Sequence, residues 1–174
     1  MKTKSLTRAI LVVYLLVLLW LVLFKLSSHP LSVLLNYQNR SLNVIPFADI
    51  SRAHLNETLS NIIAFIPFGL FMNVSFKRTD FWRKLAYIGA FSIAIEITQF
   101  IFAIGRTDIN DVITNTLGGL IGLLLYRLGE KYVDNEKLDK TIIVAGAALL
   151  VILLLLRTLV FRVSYHSGPS VHNG

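Results

Sequence analysis

Apolar runs about as long as a bilayer is thick, separated by short charged turns, decide what this chain can fold into. They cover residues 9–26, 59–76, 85–104, 112–128 and 141–161. A helix needs about 20 residues to cross the hydrocarbon core. Inside lipid the backbone must satisfy its own hydrogen bonds, which helices do. The expectation is an all-α membrane protein with five transmembrane helices, forming one domain over residues 1–163, with a disordered tail over 164–174. Composition agrees: 55% of the 174 residues are hydrophobic and only 16% charged, against roughly 25% charged in a soluble domain.

The basic head Lys2, Lys4, Arg8 precedes the first run, as in a signal peptide, but no small-x-small cleavage site follows it. An uncleaved first helix is expected. The net charge of +7 is read as topology rather than nucleic-acid binding, because basic residues collect in cytoplasmic loops. With the N-terminus inside, eleven Lys and Arg fall in cytoplasmic segments and five outside, with Lys25 snorkelling at the outer end of the first helix. This predicts N-inside, C-outside, in the bacterial cytoplasmic membrane. The absence of cysteine removes thiol chemistry. The four histidines (His29, His54, His166, His172) have no spacing for a metal site. The polar stretch 27–58 holds LNVIPFADI, which either lies in the headgroup region, folds back onto the helices or is an ordinary loop.

Ionisable groups inside a membrane segment are costly and point to function. Glu96 and Gln99 stand in the third run, Arg106, Asp108 and Asp111 in the turn after it, and Asn115 in the fourth; Asn61 opens the second. Under the predicted topology all seven fall in the outer half of the bilayer. Gly89, Ser92, Glu96, Gln99 and Ala103 make one helical stripe, and Asp111, Asn115, Gly118 and Gly122 another. The expectation is a hairpin with the two stripes facing each other and a polar pocket at its outer end. Asn61, Gln99 and Asn115 are either ligand-binding groups or interhelical glue.

Four pieces, in order, resemble the VanZ-like family of small bacterial membrane proteins: LNVIPFADI, NIIAFIPFG (Asn61 to Gly69), E-x-x-Q (Glu96 to Gln99) and GRTDINDVITNTLGGLIG (Gly105 to Gly122). The resemblance spans roughly Leu42 to Gly122. That family usually has two adjacent acids where this chain has Asn110 and Asp111. Its name comes from a protein associated with teicoplanin resistance in Gram-positive bacteria, which implies an envelope role and supplies a phenotype, not a reaction. Three roles stay open at this point. One is binding at the outer face, to a glycopeptide or a lipid-linked cell-wall precursor, with Arg106 engaging a phosphate or carboxylate. Another is an enzyme acting on a lipid headgroup. There Glu96 is general acid or base, Asp108 and Asp111 hold a divalent cation such as Mg²⁺, and Arg106 stabilises developing charge. The last is a small proton-coupled transporter. Lowered glycopeptide susceptibility is the expected outcome.

Overall fold

The charged turns become the ends of five helices in the computed structural model, which describes residues 2–24, 41–46, 52–103 and 106–166. They are α1 (Lys2–Phe24), α2 (Arg52–Ser75), α3 (Phe81–Phe102), α4 (Ile109–Gly129) and α5 (Asn135–His166). Four of them contain stretches long and apolar enough to cross a membrane: Leu55–Ser75, Phe81–Phe102, Ile109–Gly129 and Asn135–Leu155. In α1 the corresponding apolar stretch is Thr7–Leu23.

The helices begin before the apolar runs do, because polar residues cap and start them. Asp80 is the N-cap of α3, its carboxylate accepting from the Trp82 N–H at 2.9 Å. Asp108 caps α4 in the same way through the Asn110 N–H at 3.0 Å. Each such cap satisfies a donor the helix leaves open and contributes about 1 kcal/mol. At its other end α3 stops on Ala103 in the left-handed region, at φ 52°. The last helix continues through His166; 167–174 lie outside the described residues. Helix α2 continues through Pro67.

The core draws large side chains from α1 and α2 and few from α4. Leu11, Tyr14, Leu18 and Val22 meet Phe65, Phe68, Phe71 and Met72, with Ile88 and Ile95 of α3 alongside; α4 adds only Leu123 to this cluster. The Tyr14 hydroxyl donates to the Ala64 carbonyl, tying α1 to α2. What α4 offers instead is glycine. A Cβ at Gly118 would lie 2.2 Å from the Ile62 carbonyl oxygen, and one at Gly122 2.1 Å from that of Ile66. From the α2 side, a Cβ at Gly69 would lie 2.1 Å from the Gly119 oxygen. The backbones of α2 and α4 are therefore in direct contact, as small residues permit in membranes.

This corrects part of the expected hairpin: α3 and α4 do pack together, through Asn115 and Ser92, but the glycine pair does not lie between them. The Gly118–Gly122 pair faces α2, while Asn115, Thr116 and Gly119 turn toward α3, against Ser92, Gly89 and Ile88. A glycine pair marks a close approach without saying which neighbour makes it.

One element departs from the all-α expectation. Strand β1 (Ser41–Asn43) pairs in parallel with β2 (Arg106–Asp108), in the register Ser41 to Arg106, Leu42 to Thr107 and Asn43 to Asp108. The start of LNVIPFADI thus folds back onto the helix ends, one of the readings its composition left open. Phe47 to Ile50 lie outside the described residues.

Candidate functional site

The two strands meet where α2 begins, α3 ends and α4 begins. Three acids are buried here: Glu96 is 4% exposed, Asp108 4% and Asp111 6%. A carboxylate taken out of water needs hydrogen-bond donors, and neighbouring amides supply them. The Glu96 carboxylate accepts from the Asp108 backbone N–H at 2.9 Å. With its amide turned to match donor to acceptor, Gln99 donates to both Glu96 oxygens at 3.2 Å; in the opposite orientation its nitrogen reaches the Val22 carbonyl at 3.3 Å. Asn43 Nδ2 donates to both oxygens of Asp108, at 3.0 and 3.1 Å. Asn61 Nδ2 donates to Asp111 Oδ1 at 2.8 Å.

Glu96 and Gln99 share a face of α3 because they are three residues apart. Asp108 reaches Glu96 because the β2–α4 corner folds back over the last turns of α3; Thr107 Oγ1 also approaches the Glu96 carbonyl, at 3.5 Å. Asp111 lies in the first turn of α4 and meets Asn61 across the α2–α4 contact that the glycines allow. Glu96, Gln99, Asp108, Asp111 and Asn61 are thus gathered at one end of α2, α3 and α4. Arg106 is in β2, beside this cluster in the chain, and its side chain lies outside the described residues.

Asn115 stands apart. It is fully buried, one turn deeper on α4, and donates to Ser92 Oγ at 2.9 Å, while its own amide oxygen has no hydrogen-bond partner among the described residues. Sequence reasoning missed Asn43 as a site residue. Its signal was present, a polar residue flanked by Leu42 and Val44, but its partner lies 65 residues away.

Among the described residues, no three of His, Cys, Asp or Glu group closely enough to hold a metal ion. A divalent cation would have to be held by Asp108 and Asp111, which already accept from Asn43, Asn110 and Asn61. Carboxylates held by neutral amides keep acceptor capacity. Each carboxylate has about four lone-pair sites, and an amide-lined acidic corner can take hydroxyl or ammonium groups of a ligand.

A family model described as VanZ/LLP1 matches residues 11–130. Among curated relatives, Protein VanZ of Enterococcus faecium is 52% identical over 155 residues, covering 89% of this chain and 94% of that protein. No solved structure matches the chain.

Proposed function

From the membership of this chain in the VanZ/LLP1 family, we propose that it lowers the susceptibility of a bacterium to glycopeptide antibiotics such as teicoplanin. It does so from the cytoplasmic membrane, through the polar corner of Glu96, Gln99, Asp108, Asp111 and Asn61, set in the outer leaflet with the Arg106 strand at its rim. The helices cross five times, α1 included, with the N-terminus inside. The excess of Lys and Arg in the segments then left in the cytoplasm supports that orientation.

The observation that carries the reading is the concentration of buried acids and amides at one end of three apolar helices. Packing alone does not require ionisable acids there. Glycopeptides act outside the membrane, on lipid-linked precursors and nascent wall. A site at the outer ends of α2–α4 faces that compartment, and its acceptors suit the hydroxyl and amine groups of glycopeptides and cell-wall glycans.

The test is teicoplanin susceptibility of a sensitive bacterium expressing wild type, Glu96→Gln, Arg106→Ala or Asp111→Asn, at membrane abundance matched by immunoblot. Wild type is expected to protect and the variants to lose most of that protection. Equal protection by all four would remove the corner from the function, and no protection by wild type would remove the resistance reading itself.

A further inference from the structure

At the opposite end of α2–α4 a second polar region is built around a buried lysine. Lys84, in the first turn of α3, is only 6% exposed. A lysine at a helix end ordinarily extends its ammonium into water along the membrane surface; this one is folded inward. Its Nζ donates to Asn73 Oδ1 at 2.7 Å, and Asn73 in turn donates to the Leu123 carbonyl at 3.1 Å. One of three ammonium donors is thereby used. Asp80 and Glu130 act on Lys84 through the field, yet no carboxylate among the described residues forms an ion pair with it.

Lys84 opens onto a cleft of about 310 Å³, whose walls include Asn73, Lys77, Asp80, Arg127 and Glu130. The charges there are not equally available. Lys77 pairs with Asp139, which also accepts from the Tyr126 hydroxyl at 2.7 Å. Asp80 is engaged as the cap of α3. Arg127 lies with its guanidinium carbon 4.1 Å from the centre of the Phe81 ring, stacked rather than ion-paired. With Lys77 paired, Lys84 and Arg127 face Asp80 and Glu130, since Asp80 keeps its charge while it caps the helix. Trp82, 71% exposed, stands two residues before Lys84 and marks the depth, since tryptophan collects at the level of lipid headgroups.

We propose that this cleft binds a phosphate-bearing anion, with the Lys84 ammonium as its principal donor and Arg127 as its second. An ammonium held in place with spare donors, beside a guanidinium whose N–H groups have no hydrogen-bond partner among the described residues, is the arrangement that recognises phosphate oxygens. The phosphate can come from the headgroup of an anionic phospholipid in the same leaflet or from solution. This site is separate from the Glu96 corner and does not rest on the resistance reading.

Purified full-length protein in detergent is titrated with phosphatidylglycerol, with a glycosyl diacylglycerol that has the same chains and no phosphate, and with inorganic phosphate, while thermal unfolding is followed. A rise in midpoint with phosphatidylglycerol alone, reduced by more than half in Lys84→Gln and in Arg127→Gln, identifies a lipid headgroup. A rise with inorganic phosphate, reduced by the same substitutions, identifies a soluble ligand. Should Lys84→Gln fail to fold, Arg127→Gln, at an exposed position, carries the test. The proposal is overturned if neither phosphate source raises the midpoint, if the glycolipid raises it equally, or if the rise survives in Arg127→Gln.

Discussion

Glu96 has a structural contact and a proposed role that a single substitution can separate. Its carboxylate accepts the Asp108 N–H and so fixes the corner from which α4 starts; under the proposed function its charge also serves a ligand. Glu96→Gln keeps an acceptor oxygen for that N–H and loses the charge, whereas Glu96→Ala leaves a buried donor without a partner, at a cost of about 1–3 kcal/mol. The expected result is that Gln unfolds near the wild-type temperature in detergent and Ala several degrees lower. Equal stability of the two would mean that the Asp108 N–H finds another acceptor. At this scale the sequence was informative where a residue contradicted its own surroundings. An acid in an apolar run is conspicuous wherever it packs, and Glu96 did lead to the corner. Asn43 and Lys84 were not conspicuous, because a polar residue in a loop or a lysine at a helix end is ordinary until its partner is known. Their partners come from other elements, and nothing local encodes that.

Among the helices, contact between α2 and α4 decides whether Asp111 joins Asn61 in the corner. The contact depends on Gly118 and Gly122, where an added methyl would sit 2.2 and 2.1 Å from carbonyl oxygens of Ile62 and Ile66. Backbone cannot move aside as a side chain can, so overpacking here costs at least the usual 1–3 kcal/mol. Gly122→Ala is expected to reduce folded protein severalfold, measured by fluorescence-detected size exclusion of a tagged chain. Gly89→Ala is the control. Its added methyl would meet only the Thr116 side chain, at 3.5 Å, and folding should be unchanged. The helices themselves could be read from run lengths, although their starts could not. Caps such as Asp80 and Asp108 belong to the charged turn by composition and to the helix by hydrogen bonding. The short ladder of β1 and β2 escaped notice for a related reason. Three-residue strands have no periodicity to read.

For the molecule as a whole, orientation is the property most directly open to experiment, and the cysteine-free sequence makes it simple. Val44, 66% exposed beside β1, and Tyr132, 86% exposed after α4, belong to opposite sides under the proposed topology. A membrane-impermeant maleimide applied to intact cells should label Val44→Cys at once and Tyr132→Cys only after permeabilisation; the reverse pattern would invert the proposed orientation and turn the acidic corner to the cytoplasm. Charge bias made this prediction possible from sequence, because it needs only counts in loops. The way the five helices pack was beyond such counts, since lipid-facing and protein-facing leucines look alike. The parallel ladder carries a further consequence, for biogenesis. Asn43 emerges from the ribosome 65 residues ahead of Asp108, and α2 and α3 lie between them. The first strand therefore cannot meet its partner until two more helices have been synthesised. The corner closes only on a chain already synthesised through β2, so an intermediate stalled before that point cannot display it.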